Sequence, residues 1–506
     1  MNYADLFRIT LPETALEVAA LLVLIIDLAF LRRAALNVRA SVAALLGIAG
    51  CIAALWLMPG GGMFSIDGTA NTALLVTGGL VSVAQIGILV LTGLTLVFLV
   101  DAAFTRHVGE YVAIVLMSAT GGLLIAGAQD LLIIFIGLEL LSLGLYVITA
   151  FAKQSGRSAE AAMKYYLFGG MSAAFLLFGF SYLYGLTGST NLHQVVLGSI
   201  TSYGSGSPLF YVALVLVAAG LGFKVAAVPF HLWAPDAYEG APAPAAAFIA
   251  SVSKVASFAL LIGIGMAILR PFGNVHMVRM VVVQDGSVLK HFDGLSYQWS
   301  LLLAILAAAS MVVGNLAALA QISVRRLLAY SAIAHAGYML TALAYLSSRG
   351  ASAILYYILT YGVTTIAAFG VIGVIESATG TDRLDGFLGL SKRNPLLAAV
   401  LLVLFLSLAG IPPLVGFWAK FNLFAAVLSV DAGVIPFVLV ALAVAFSAVS
   451  LYYYLQVLKR AYVMPAVDEA PIRVHPVTMI VLLLIAAAVV VLGCLPSLLQ
   501  NWIAKF

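Results

Sequence analysis

The chain of 506 residues has little of what soluble enzymes use most: only 9% of its positions are Asp, Glu, Lys or Arg, and it holds two cysteines. Those two, Cys51 and Cys494, sit in or beside apolar runs without metal-ligand spacing. That placement excludes a disulfide framework and an iron–sulfur or zinc centre built on this chain, and leaves both as packing residues. The chain also lacks a G-x-x-x-x-G-K-[ST] phosphate loop, a C-x-x-C pair and a G-x-G-x-x-G turn after a strand, so it offers no nucleotide or flavin site of its own. Nothing in it points to nucleic acid.

Apolar runs take the place of charge. Hydrophobic residues make up 64% of the chain and the mean hydropathy is +1.14, well outside the range of soluble domains. Runs of about 18 or more apolar residues are long enough to cross roughly 30 Å of hydrocarbon as helices. They recur at 13–31, 38–58, 74–103, 109–128, 130–151, 160–187, 208–232, 242–270, 299–320, 326–347, 351–377, 394–428, 433–462 and 475–502. The expected fold is an all-α polytopic membrane protein of about 14 transmembrane helices in one membrane domain, residues 1–506. Glu13 and Glu17 precede the first run and Arg32 and Arg33 follow it, the reverse of a cleavable signal peptide, so this run is expected to stay as the first spanning helix. The longest connection, Pro271 to Gln298, has β-prone runs on both sides of Asp285 and Gly286 and predicts a short external hairpin.

Basic residues orient the spans. Loops after odd-numbered helices hold fourteen lysines and arginines and the opposite loops hold six, a bias that places the richer side in the cytoplasm and both termini on the outer side. Four lysines remain inside apolar segments: Lys164, Lys224, Lys254 and Lys420.

The sequence also repeats. "LELLSLGLY" in the fifth span and "YSAIAHAGY" in the tenth align Tyr146 with Tyr338, an offset of 192, and "KYYLFGG" and "LYYILTYG" align Tyr165 with Tyr356, an offset of 191. "PFHLW" at Pro229–Trp233 and "PLVGFW" at Pro413–Trp418 each place a tryptophan just beyond a helix-breaking proline. Five helices separate the copies, an odd number, so the copies face opposite sides of the membrane. The spacing predicts two inverted five-helix repeats with discontinuous helices seven and twelve, the architecture of many transporters. The first repeat is placed at 109–270 and the second at 299–462, with helices one to three at 1–103 and the last helix at 475–502.

A lysine at the centre of a spanning helix costs about 2.5–3.5 kcal/mol unless it meets water or a counter-charge. Lys164 lies two turns from Arg157 and can snorkel toward the headgroups, whereas Lys224, Lys254 and Lys420 lie deeper. Glu139 is embedded in the fifth span and offers an ion-pair partner. Pro229 frees a carbonyl near Val225, and Pro412 and Pro413 do the same beside Lys420. Such freed groups are tolerated at membrane depth only next to water or protein partners. Together with His231 and His335, these residues form the constellation expected of a proton relay. Asp236 and Glu239 fall at a helix junction, where capping and loop ordering are expected, and Asp27, Asp101, Asp130 and Glu376 lie near helix ends.

The segments "FHLWAPDAYEGAPAPAAAFIASVSKVA" and "GNLAALAQISVRRLLAYSAIAHAGYML" resemble the two signature segments of the antiporter-like N subunit family of bacterial proton-pumping NADH:quinone oxidoreductase, respiratory complex I. The resemblance runs from the first span to the last. It implies that Glu139 and Lys224 pair between helices five and seven, that Lys254 is the central lysine of helix eight, that Lys420 is the terminal lysine of helix twelve, and that His231 and His335 connect them through water. Sister subunit M carries a glutamate where this chain has Lys420, and subunit L continues into a long lateral helix, whereas this chain stops just after the fourteenth span. Ser331 stands where the second half would need a counterpart of Glu139. The resemblance further implies NADH, FMN, iron–sulfur clusters and quinone in partner subunits, neighbours that include subunits M and K, and a place in the bacterial inner membrane. A subunit of a multi-subunit cation/proton antiporter and a non-pumping scaffold are the competing readings.

Overall fold

The computed structural model describes residues 3–65, 72–100, 104–201, 208–269, 287–430, 433–466 and 470–506. A short helix α1 (Tyr3–Ile9) leads into α2 (Leu11–Ile25), which continues as one π turn at Ile26–Phe30, and α3 (Leu36–Trp56) packs back against it. Asp27 in that π turn is buried. Its carboxylate accepts bonds from Arg39 Nε at 2.7 Å and Nη2 at 2.6 Å and from the Gly109 N–H at 3.3 Å, so the charge is neutralised where the helix ends.

The third predicted span starts too early. Residues Ala73–Thr77 form β2, paired antiparallel with β1 (Gly62–Ser65), and the helix α4 begins only at Gly79 and runs to Val97. Burial along β2 alternates residue by residue, so its apolar content is that of a half-buried strand, which hydropathy alone does not separate from a helix.

Then come α5 (Val108–Gly127), α6 (Leu131–Thr149), α7 (Gly156–Thr187), α8 (Leu192–Thr201), α9 (Pro208–Val225), α10 (Trp233–Gly240), α11 (Ala243–Ala250) and α12 (Val252–Leu269). They are followed by α13 (Ser287–Leu319), α14 (Val324–Ala344), α15 (Ser348–Thr379), α16 (Leu390–Arg393), α17 (Pro395–Ala409), α18 (Val415–Val430), α19 (Val434–Tyr462), α20 (Pro476–Cys494) and α21 (Ser497–Ala504). Among the described residues, 12 helices are long and apolar enough to cross a membrane, with α11 and α12 taken together. The chain is a multi-pass helical membrane protein. The first arm of the predicted external hairpin lies outside the described residues, and its second run is helical, as the start of α13. Cys51 is buried as expected, whereas Cys494 is exposed at the end of α20.

The two halves carry the same punctuation. Helix α7 is N-capped by Ser155 and closed by Gly188 at φ 70°; α15 is N-capped by Ser347 and closed by Gly380 at φ 73°, and both are 32 residues long. Serine oxygens accept the orphan N–H groups of a first turn, and glycine takes the left-handed closing position without a Cβ penalty. Each cap pair differs by 192 in number (347 minus 155, 380 minus 188). At the matching places, Leu131 N–H donates to Thr190 O at 2.8 Å and Val324 N–H to Asp382 O at 2.9 Å.

Glycines let neighbouring helices touch backbone to backbone, as packing without a hydrophobic driving force requires. A methyl group on Gly121 would come within 2.5 Å of Leu141 N, and one on Gly314 within 2.6 Å of Ala334 N, which fixes α5 against α6 and α13 against α14. The apolar windows of Ala243–Ile268 and Val324–Ala344 are each 94% buried, against 28% for α19 and 33% for α20, so α11, α12 and α14 form the centre of the bundle. These central helices carry Lys254 and His335.

Candidate functional site

Helix α9 ends three residues after Gly222, and α10 does not begin until Trp233. The end is a Schellman closure: Ala227 N–H donates to Gly222 O at 2.8 Å and Ala226 N–H to Phe223 O at 3.0 Å, with Ala226 in the left-handed region at φ 59°. Helix α17 ends the same way. Ile411 N–H donates to Leu406 O at 3.1 Å and Gly410 N–H to Ser407 O at 2.9 Å, with Gly410 at φ 87°.

Backbone groups left over by these two breaks are met by side chains. Pro229 has no N–H to give to Val225, and that carbonyl instead accepts Lys254 Nζ at 3.2 Å. The same ammonium donates to Ala332 O of α14 at 2.9 Å, so Lys254 bridges the broken helix and the second half of the chain. Val228 N–H donates to Ser310 Oγ of α13 at 2.9 Å, and Trp233 Nε1 closes on Phe223 O at 2.9 Å. Trp233 is itself stacked on Tyr165, centroids 4.2 Å apart. In the second break Pro413 leaves Ala409 O free, and Lys420 Nζ takes it at 2.9 Å while donating also to Ser447 Oγ at 2.7 Å. Trp418 Nε1 bonds Gly493 O at 2.8 Å.

Lys224, at the end of α9, donates to Ser142 Oγ of α6 at 2.5 Å. Glu139 lies three residues before Ser142 on the same helix, half-buried, and acts on Lys224 electrostatically without touching it. The hydroxyl of Ser142 therefore makes the contact with Lys224, and the Glu139–Lys224 pair that the resemblance implies is not a direct hydrogen bond. Lys224, Lys254 and Lys420 are buried, and all three give their hydrogen bonds to neutral hydroxyl or carbonyl oxygens.

His335 joins two of these centres. It lies within electrostatic reach of both Lys254 and Lys420. Its Nδ1 shares a hydrogen bond of 2.7 Å with Tyr357 Oη, and its Nε2 is buried without a protein partner. A void of about 10 Å³ between His335 and Lys420 has room for about one water. Ser331, at the position matching Glu139, bonds the buried Tyr454 hydroxyl. His231 sits in the first break, buried, with no hydrogen bond to any of the three lysines.

Lys164 belongs elsewhere. Its Nζ reaches Asp236 at 3.0 Å and Glu160 at 2.7 Å, and its side chain is 42% exposed. Asp236 also meets Arg326 at 2.5 Å, Arg326 meets Glu239 at 3.0 Å, and the buried Arg325 pairs with Glu376 while donating to Ala241 O at 2.6 Å. Burial alone would raise the Asp236 carboxyl, but its bonds to Lys164 and Arg326 outweigh that and hold it below the usual carboxylate range. Asp236 and Glu239, expected to cap and order a loop, thus tie α10 to α14, and Glu376, partly exposed near the end of α15, is the ion-pair partner of Arg325. Asp130, also expected near a helix end, N-caps α6, accepting Leu132 N–H at 2.9 Å, and Asp101 lies outside the described residues.

The sequence did not mark the third interruption, between α11 and α12 at Ser251, where no proline stands. Nor did it mark Ser142, Ser310 and Ser447, whose hydroxyls receive the freed donors; serines in apolar helices are common, and only the opposing chain gives these three a role. Among the described residues, no group of three or more His, Cys, Asp or Glu is placed to hold a metal ion.

Gly410 is where backbone and ammonium meet. A Cβ there would come within 2.9 Å of Lys420 Cδ and 3.2 Å of its Nζ, in a conformation that costs an L-residue about 1–2 kcal/mol. Gly410→Val is therefore expected to push Lys420 off Ala409 O and to lower the level of this chain in membranes several-fold. Gly170→Val, at a position with nothing within 4 Å, is expected to leave that level unchanged.

A family described as NADH:quinone oxidoreductase/Mrp antiporter, TM, matches residues 128–447. NADH-quinone oxidoreductase subunit N 2 of Acidobacterium capsulatum is 46% identical over 99% of this chain and 99% of its own. NADH-quinone oxidoreductase subunit N of Desulfovibrio desulfuricans is 40% identical over 88% of this chain and 84% of its own. Among solved structures, a chain of respiratory complex I from Thermus thermophilus superposes with a TM-score of 0.75 at 33% identity, covering 97% of this chain and 98% of that one. A chain of the Mrp complex from a Dietzia species shares the fold, with a TM-score of 0.77 at 22% identity over 97% and 96% of the two chains. With two relatives of that identity and coverage, the chain belongs to the subunit N family of NADH-quinone oxidoreductase, the antiporter-like membrane-arm subunits of proton-translocating complex I.

Proposed function

We propose that this chain moves protons through a water-linked relay of Glu139, Lys224, Lys254, His335 and Lys420, driven by NADH oxidation and quinone reduction in partner subunits. The observation that carries the reading is the placement of Lys224, Lys254 and Lys420: each is buried at a broken helix and bonded only to neutral oxygens. An ammonium held by a carboxylate keeps its proton, whereas one held by carbonyls and hydroxyls loses little when it hands that proton on. Glu139, acting from a distance on Lys224, is suited to switch the charge state of the first site when its own charge changes. His335, with one nitrogen bonded and the other open, is suited to pass a proton between Lys254 and Lys420. His231 has a secondary place beside the first break, and Lys164 is assigned to the ion-pair cluster rather than to the relay.

In this reading the shared offset of the caps and the recurrence of the breaks in the same order reflect two inverted repeats of five helices within a 14-helix chain. The arginine-rich loops face the cytoplasm, both termini face the periplasm, and the chain sits in the inner membrane between subunits M and K. Redox chemistry stays with partner chains that hold FMN, iron–sulfur clusters and quinone. The test is to tag this chain in its native host, purify it in mild detergent and assay inhibitor-sensitive NADH:quinone reductase. Co-purification of that activity with redox subunits is expected; a chain that arrives without them, but with cation/proton exchange, would overturn the reading in favour of an antiporter.

A further inference from the structure

Two cavities of the bundle share helices α15 and α20. The larger, about 890 Å³, opens at the arginine-rich end between α10, α11, α15 and the start of α20, with Arg157, Arg325 and Arg473 beside an apolar floor that includes Phe98, just past the end of α4, and Phe369. The smaller, about 170 Å³, lies deeper between α4, α15 and α20, walled by Val90, Leu359 and Val489 and floored by Trp502 of α21. Between them α4 presents Val90, Gly93 and Val97, and α15 presents Val363 and Gly370, all left partly exposed although α4 and α20 both pack on α15. A methyl group on Gly93 would meet nothing within 4 Å, so the space along α4 is open.

The charges at the wide end are unbalanced in a particular way. Its carboxylates are already taken: Glu239 by Arg326, Glu376 by Arg325 and Asp382 by the Ser323 hydroxyl. Among the described residues, Arg157 and Arg473 have no carboxylate in contact, and the buried Nε of Arg325 has no acceptor. Ten residues of α15 separate Gly370, on the floor of the wide cavity, from Thr360, in the apolar pocket. At 1.5 Å per residue that is about 15 Å, half the thickness of a hydrocarbon core and the reach of one acyl chain within its leaflet. A guanidinium pair at one end and an apolar slot one leaflet deep match an amphiphile with an anionic head.

We propose that this groove binds an anionic phospholipid, with its phosphate between Arg157 and Arg473 and one acyl chain lying along α15 into the pocket above Trp502. Thr360 and Val415 line both that pocket and the void beside Lys420, so the chain end lies one side-chain layer from the ammonium. The bound lipid would keep that wall of the Lys420 chamber dry. The sealing role rests on the relay proposed above; the lipid site needs only that the chain spans a bilayer.

The test uses the intact complex in mild detergent with two photoactivatable probes, a phosphatidylglycerol and a phosphatidylcholine that carry a diazirine at the end of the acyl chain. Crosslinked peptides are mapped by mass spectrometry, and quinone reductase activity of the same sample reports assembly. Phosphatidylglycerol is expected to label α15, α20 and α21 around Trp502 at least about tenfold more than phosphatidylcholine, and Arg157→Gln with Arg473→Gln is expected to remove that preference. Val363→Trp, which fills the slot without changing charge, is expected to remove labelling by both probes and stands as the second variant if the double substitution does not assemble. Equal labelling by the two lipids in the wild-type complex would overturn the anionic site, and crosslinks from the groove to a partner polypeptide would show that a protein occupies it instead. Either result leaves the assay of proton pumping untouched.

Discussion

Replacing Lys254 by arginine is expected to stop proton transfer through this chain as completely as replacing it by methionine. The lysine donates to two backbone carbonyl oxygens, Val225 O and Ala332 O, and an arginine could satisfy both while keeping the positive charge. What arginine cannot do is release its proton, because the guanidinium stays protonated at any working pH. A lysine that merely tied α9 and α12 to α14 would be replaced by arginine with function retained. A lysine that carries protons fails with either substitute, and the fall in proton transfer through this chain is expected to be about a hundredfold for both. The measurement is the NADH-driven pH gradient in inverted membrane vesicles, normalised to the amount of assembled complex. Pumping retained in Lys254→Arg but lost in Lys254→Met would make the role structural.

The largest stability effect is expected at Arg325. This side chain is almost fully buried, pairs with Glu376, and donates to the carbonyls of Ala241 at 2.6 Å and Glu239 at 3.3 Å, where α10 turns into α11. Arg325→Met leaves both carbonyls and a partly buried carboxylate without a donor, a loss of about 3 kcal/mol, at the lower end for a broken buried pair because Glu376 is 37% exposed. Arg326, 29% exposed and paired with Asp236 and Glu239, is expected to cost about 1 kcal/mol on change to Gln. The check is the level of this chain in membranes and the temperature at which the complex loses activity. Equal losses for the two variants would mean that exposure does not set the balance here.

Much of this arrangement was legible in the sequence where a covalent rule applied. A proline has no N–H, so Pro229 and Pro413 announced two freed carbonyls, and the structure places them at Val225 and Ala409. The tyrosine offset of 192 reappears in the serine and glycine caps of α7 and α15. What was not legible is which donor comes to each carbonyl: Lys420 lies eleven residues from Ala409 on the same broken helix, whereas Lys254 reaches Val225 from the next one. The Ser251 break leaves no mark because no residue there forbids a helix. The Asp236–Arg326 link joins residues 90 positions apart, a contact that no local spacing announces. Glu139 and Lys224 were paired by resemblance, and the hydroxyl of Ser142 makes the contact with Lys224, a detail that only side-chain packing decides.

The central claim, that protons pass through the buried lysines of this chain, is tested most directly by the number of protons pumped per electron in liposomes reconstituted with the purified complex carrying Lys224→Met. Lys224 bonds only Ser142 Oγ, so methionine removes the ammonium with little change of shape. A complex that assembles fully but pumps fewer protons per electron, or turns over only when uncoupled from pumping, is the predicted result. Unchanged stoichiometry and unchanged coupled turnover in a fully assembled complex would contradict it.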